Sequence, residues 1–430
     1  MKNKFKSGLI HLSQIIYLTV RSFFQNSLGT SAASCTLGFI FSFMPMVMLN
    51  LTIFIGILHA SPSMLEDFSS LFAELTPVFN LNDYINGLQK GFVVNWVNFL
   101  LALFMIWMSR KLFLSIIQSL TKIFRTVAPR RPVINQLLTF AGEILIVVII
   151  ATTFLAAFVT RQIFKLALFE KISELSPILF STLSNRLVNL LLYVILFVLS
   201  LIAYRFASGS RPKFRLCLLC AFMCTITFYI AITLISLFMN RGNYSTIYGV
   251  LSNIIILLFE VYIFFILFLL FAQMIYTVQS FNSNLLAELY LLPKSFSTSP
   301  ADILRRAVFI TPSALMTEEN TESFWAGQEI YKNGEQSECV YYIVSGTVRE
   351  ERDEIVRFRE AGSFLGEIDL TLDTFHHSSA TAVTECKAIR ISKEDFSDLL
   401  DKNPQAAIKA MSKLSRYAAK FYGRDDTILL

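Results

Sequence analysis

The chain has 430 residues, of which 54% are hydrophobic and only 16% charged, against roughly 25% charged for an average soluble domain. That balance argues against a purely soluble protein. The charge is uneven: residues 1–295 hold 21 basic and 9 acidic groups, and residues 296–430 hold 16 basic and 22 acidic. An apolar, basic front suits a bilayer with anionic lipid at its inner face, and an acidic back is a poor candidate for nucleic acid.

Residues 1–26 start basic but contain no short apolar core ending in a small-residue cleavage site, so they do not read as a removable signal. They read as an interfacial helix. Leu9, Leu12, Ile15, Ile16, Phe23 and Phe24 recur near helical spacing, with Lys2, Lys4, Lys6 and Arg21 available to anionic headgroups.

A helix rises about 1.5 Å per residue, so ~20 apolar residues cross the hydrocarbon of a bilayer. Six runs of that order are found near 32–58, 93–109, 136–160, 187–204, 216–238 and 248–276. Lys and Arg collect in 1–31, in a basic loop from Arg110 to Arg131, and in 205–215, whereas 59–92 has one Lys against Glu66, Asp67, Glu74 and Asp83. Positive loops stay cytoplasmic. Six spans with both termini in the cytoplasm satisfy the charge count and the even number together.

Two carboxylates fall within the spans, Glu260 near the middle of the sixth and Glu143 about two turns into the third. Such groups face a bundle interior or a water path, and pair or stay protonated. Glu260 reads either as a residue on a solute path or as a protonated hydrogen-bonding link between helices; Glu143, nearer the boundary, leans to the second. The six cysteines, at 35, 217, 220, 224, 339 and 386, show no framework spacing and read as buried thiols. With four histidines, His11, His59, His376 and His377, no ligand cluster or nucleophile–base pair can be assembled, so an enzyme is not expected. No metal site is expected either.

Several strings in this front half, Ser42-Phe43-Met44-Pro45, Trp107 with Ser109, Tyr204-Arg205-Phe206 and Tyr244-Ser245-Thr246-Ile247-Tyr248-Gly249, resemble the YihY/BrkB family. That family comprises six-span inner-membrane proteins once named ribonuclease BN. The resemblance covers about residues 5–280. Where the family usually follows its last span with Gly-Ala-Glu, this chain has Phe271-Ala272-Gln273, so no role for that carboxylate carries over.

From about 278 the composition turns polar, and 281–300 reads as a linker. Beyond it a short helix is expected at 301–308, then short β-prone runs punctuated by Gly327, Gly334, Gly346, Gly362 and Gly366, the pattern of a small antiparallel barrel with tight turns. Helices are expected at 393–400 and 404–421, the second laying Ile408, Met411, Leu414 or Ser415, Ala418 and Phe421 across the barrel. The fold class is therefore an all-α polytopic membrane bundle over 1–280, followed by a small β-roll with flanking helices over 301–430.

The glycine-spaced strands, with Tyr341-Tyr342-Ile343-Val344-Ser345-Gly346 and Gly362-Ser363-Phe364-Leu365-Gly366-Glu367, resemble a cyclic nucleotide-binding domain. The resemblance implies that Gly366, Glu367 and Ile368 open a short helix that cradles a cyclic phosphate, with Glu367 accepting from the ribose. The arginine of that family falls here on His376, followed by His377 and Ser378, and no Arg or Lys lies between Glu360 and Lys387. Asp369 stands where the family prefers a small neutral residue. Losing the guanidinium and gaining a carboxylate should weaken anion binding by about 2–4 kcal/mol.

These readings lead to a transporter- or channel-like bundle in the inner membrane, regulated by the tail, with a cyclic nucleotide as the only cofactor in view. The alternative is a non-transporting envelope or lipid-related scaffold whose tail is a degenerate docking module. Expected partners are the lipid bilayer, a small anionic ligand in the tail and a second copy of the chain, without nucleic acid.

Overall fold

In the computed structural model the chain is described over residues 2–56, 96–124, 192–207, 212–238, 250–292, 300–309, 315–352 and 355–425, with scattered positions besides. Two compact units are formed, Thr19–Tyr276 and a second that joins Met1–Leu18 to Thr277–Leu430. The segments 59–92 and 161–186, most of the span expected at 136–160, and Glu143 lie outside the described residues.

Helix α1 (Lys2–Gln25) enters the first unit and turns at Ser27 (φ 50°) into α2 (Leu28–Gly56). Helix α3 (Trp96–Phe124) follows, then a helical stretch that ends in a π-helical turn (Ala203–Ala207), then α4 (Phe214–Phe238) and α5 (Val250–Gln279). Among the described residues, Phe214–Leu237 and Ile255–Gln279 are long and apolar enough to cross a membrane. The other expected spans fall partly outside these residues.

The basic stretch expected as a loop from Arg110 is helical as far as Phe124. Its basic groups lie off the buried face: Lys111 and Lys122 are exposed, while Leu112, Ile117, Leu120, Ile123 and Phe124 are all buried at helical spacing, which carries α3 onward. Small residues let α2 and α3 approach closely. A Cβ on Gly38 would stand 3.1 Å from the Leu112 Cα and 3.3 Å from the Lys111 carbonyl oxygen. One turn earlier Cys35 Sγ lies 3.6 Å from Ser119 Oγ.

Cys217, Cys220 and Cys224 are buried on one face of α4 beside Tyr204. The Tyr204 hydroxyl donates to the Phe268 carbonyl at 2.9 Å, and the two rings stack at 4.8 Å. All six cysteines are buried free thiols. Near the end of α5 the Gln273 side-chain Oε1 accepts from Asn26 Nδ2 at 3.3 Å, so an uncharged amide meets a neutral partner.

In the second unit the segment read as linker opens instead with helix α6 (Phe281–Tyr290), separated from α5 by Ser280 alone. Its apolar residues, among them Leu285, Leu286 and Leu289, are buried, and Glu288 pairs with Arg305 of α7 (Pro300–Phe309). The front of α1 packs here too. Gln14 is fully buried and donates through Nε2 to the Val308 carbonyl at 2.9 Å, Tyr17 meets Phe309 edge-on, and His11 packs on Phe281. Of the apolar residues expected at a membrane interface, Leu12, Ile16 and Phe24 are exposed, whereas Ile15 and Phe23 are buried within the protein.

Among the described residues eight strands form, β1 (Thr321–Phe324), β2 (Glu329–Tyr331), β3 (Cys339–Ser345), β4 (Thr347–Arg352), β5 (Ile355–Glu360), β6 (Phe364–Leu365), β7 (Ser379–Ala382) and β8 (Cys386–Ser392). They form two antiparallel sheets, ordered β1-β8-β3-β6 and β2-β7-β4-β5. The five glycines expected in turns all have positive φ. Gly346 is the most constrained, since a Cβ there would stand 2.5 Å from Cys386 Sγ and 2.6 Å from the Glu385 carbonyl oxygen.

After a short helix α8 (Glu367–Thr371) between β6 and β7, the chain ends in α9 (Lys393–Lys402), N-capped by Ser392, and α10 (Pro404–Asp425). The face of α10 laid on the domain is not the expected one. Ala406 and Ala410 are buried, while Ile408 and Met411 are 64% and 68% exposed. The two small side chains permit a close approach, and that approach brings lysines of the same face into the site.

Candidate ligand-binding site

The loop from β6 to β7 is shaped by one glycine. Gly366 N-caps α8 in the left-handed region (φ 76°), and a Cβ there would come within 3.0 Å of His376 Cε1. Both the backbone angle and the ring demand glycine. Glu367 and Ile368 follow in the first turn, each half-buried.

The far side of the loop is strapped to the β2–β3 turn: His376 N donates to the Glu335 carbonyl at 2.7 Å, and Gly334 N donates to the His376 carbonyl at 2.7 Å. The His376 ring stacks flat on Tyr331 at 4.0 Å and is 4% exposed. Ser378 is buried beside Tyr331.

Asp369, buried at 6% exposure, lies between the two histidines. His377 Nδ1 stands 3.0 Å from its Oδ1 and His376 Nδ1 3.5 Å from its Oδ2. Burial alone pushes the Asp369 carboxyl up; the two imidazoles, His376 first and then His377, outweigh burial and hold it below the ordinary carboxylate range. Of the pair, His377 keeps the outward position, with 41% of its side chain exposed. The residue expected in the arginine's place, His376, is instead part of the core.

Glu367 is engaged from outside the loop. Lys413 Nζ of α10 donates to its Oε1 at 2.5 Å, and the Tyr290 hydroxyl of α6 faces the same carboxylate. Burial first, and then the negative charge of Glu367 and a hydrogen bond with it, push the Tyr290 phenol well above its ordinary value. The Tyr290 ring is wedged edge-on against Phe364 and Phe396 at 5.1 and 5.7 Å, with Lys409 and Lys413 over it. Lys409 Nζ also donates to the Tyr290 carbonyl at 2.5 Å.

Sequence reasoning placed Gly366, Glu367, Ile368, His376, His377 and Ser378 in one loop, and the structure brings them together. Tyr290, Lys409 and Lys413 were missed. The i, i+4 lysine spacing was visible, but the exposed apolar stripe of α10 drew the helix the other way round. Among the described residues no cluster of three or more His, Cys, Asp or Glu is arranged to hold a metal ion.

Glu260 is half-buried on α5. It interacts electrostatically with Tyr193, whose ring meets Tyr229 edge-on at 5.3 Å.

Residues 19–288 match the family model described as virulence factor BrkB. The chain belongs to the virulence factor BrkB family. Residues 321–403 match the cyclic nucleotide-binding domain, so this BrkB protein carries such a domain behind its membrane-family region. The cAMP-activated global transcriptional regulator CRP of Salmonella typhimurium is 31% identical over 90 residues, covering 19% of this chain and 43% of the relative. The same regulator of Escherichia coli O157:H7 is 30% identical over the same shares. The chain thus spans less than half the length of these curated relatives. Among solved structures, the catabolite activator protein of Thermus thermophilus is 19% identical over 33% of this chain and 62% of its own, with a TM-score of 0.24. The sensor domain of the regulator DNR from Pseudomonas aeruginosa is 24% identical over 23% and 73%, with a TM-score of 0.21.

Proposed function

We propose that this BrkB protein is a six-span inner-membrane protein, both termini cytoplasmic, whose bundle conducts or carries a solute and whose tail senses a small ligand and sets that activity. Glu260 carries the reading. A carboxylate midway along an apolar helix is costly in hydrocarbon and is retained where it meets water, an ion or a proton; Tyr193 interacts with it electrostatically. The reading assigns the chain no catalytic chemistry, no nucleic acid and, as partners, the bilayer and a second copy of itself.

For the tail, a cyclic nucleotide fits in part. The family resemblance gives Glu367 the ribose hydroxyl, but the residues opposite do not suit the phosphate: Asp369 brings a carboxylate, and the loop offers imidazoles, His376 buried and His377 half-exposed, in place of an arginine or lysine. This favours weak nucleotide binding. Asp369, already engaged by both histidines of its own loop, is also the observation that favours the second reading, a scaffold whose tail docks a partner without a nucleotide.

Flux measurements in proteoliposomes, comparing wild type with Glu260→Gln across a pH series, separate the two. Flux that depends on Glu260 supports transport; a tight bilayer with wild type and variant alike supports the scaffold.

A further inference from the structure

We infer that Lys413 is a resident occupant of the tail pocket, and that its bond to Glu367 latches the C-terminal helix α10 and the juxtamembrane helix α6 together over the loop. This deepens the sensing role proposed above and depends on it for the identity of the displacing ligand, not for the latch. Three contacts converge. Lys413 Nζ lies 2.5 Å from Glu367 Oε1, and the two side chains are only 29% and 13% exposed. The same ammonium sits 4.9 Å above the Tyr290 ring. Lys409, one turn earlier on α10, fixes the Tyr290 backbone through its carbonyl.

Tyr290 is the last residue of α6 and is 2% exposed. One edge of its ring abuts Phe364, two residues before Gly366. The helix it ends begins one residue after α5. Glu367 Oε2 is buried without a hydrogen-bond partner among the described residues, so a ligand hydroxyl or amine that reaches it shares the carboxylate with the Lys413 ammonium and weakens that pair. With the pair weakened, Lys413 holds α10 less firmly on the Tyr290 face, and the cation–π contact loosens with the ion pair. The competition therefore transmits occupancy of Glu367 to the helix that continues the last span.

The test is hydrogen–deuterium exchange on the purified full chain in lipid nanodiscs. Lys413→Gln should speed exchange of residues 404–419 and 281–292 together, by about tenfold, the size of one charge-assisted hydrogen bond. Lys413→Arg should restore wild-type protection, and β3 and β8 should stay unchanged as the folding control. Tyr290→Phe, which keeps the ring, should loosen the same two segments more weakly. Acceleration confined to 404–419, or none, overturns the latch. Excess cAMP supplies the second arm. If it loosens both segments of the wild type, Glu367 is the shared acceptor. If it changes nothing while the variants behave as stated, the latch stands and cAMP fails as its ligand.

Discussion

His377 Nδ1 stands 3.0 Å from Asp369 Oδ1, so the loop after β6 closes on a pair of its own side chains. An incoming phosphate would have to separate that pair and then face the carboxylate. His377→Arg combined with Asp369→Ala supplies a permanent planar donor and removes the competing charge. Calorimetry on the full chain should show cAMP affinity rising about tenfold to hundredfold over wild type. His376→Arg should not substitute, because that side chain is 4% exposed beneath Tyr331 and an arginine has no room there. Tight wild-type binding indifferent to both changes would show that backbone amides alone hold the anion.

The same pair sets a pH dependence. The Asp369 carboxyl lies below its ordinary value in the folded chain. Its stabilisation is therefore complete above the unfolded carboxyl pKa of about 3.9, and is lost as pH falls through the lower folded value. Asp369→Asn should cost about 1–3 kcal/mol near neutral pH and flatten the acid limb of the tail's unfolding curve. An unchanged acid limb in the variant would mean that the histidines do not act on this carboxylate.

Much of the tail was legible because its signals are local. Positive-φ glycines at 327, 334, 346, 362 and 366 mark turns whatever packs around them, and the continuous apolar run Val340–Ile343 marks a buried strand. What escaped was decided by long-range packing. Helix α10 offers an apolar stripe and an Ala406, Ala410, Lys413 face, and only the presence of Glu367 and Tyr290 opposite selects the second. Likewise Gln14 looks like a solvent residue until the free Val308 carbonyl at the end of α7 is placed beside it. In the membrane-family region, hydropathy located α4 and α5 to within a few residues, yet charge alone misread Arg110–Phe124 as a loop.

Gly346→Ala should be among the most damaging single substitutions in the tail. The added methyl meets Cys386 Sγ at 2.5 Å, the Glu385 carbonyl at 2.6 Å and the Cys386 Cα at 2.9 Å, on a backbone with φ of 94°. Two of those atoms are backbone and cannot swing aside. A loss of about 3 kcal/mol or more is expected, read as earlier melting of the β-roll. Gly327→Ala, at a similar φ with nothing within 4 Å of the added methyl, should pay the backbone term alone and lose about 1 kcal/mol; equal losses at the two sites would show that the clash contributes nothing.

Glu260→Gln addresses the bundle. A protonated glutamic acid and a glutamine share shape and hydrogen-bonding capacity, so insertion, yield and thermal stability in nanodiscs should match wild type. Transport should not. A residue that carries protons or a counter-charge cannot be replaced by a group fixed in the neutral state, and the variant should lose most of its flux and its dependence on external pH. Tyr193→Phe removes a hydroxyl that interacts electrostatically with Glu260 and leaves the ring against Tyr229. It should displace the pH profile of flux while leaving its maximum nearly unchanged, because the carboxylate stays and only its environment alters. Wild-type flux from both variants at every pH would assign Glu260 to helix packing and leave the scaffold reading in place.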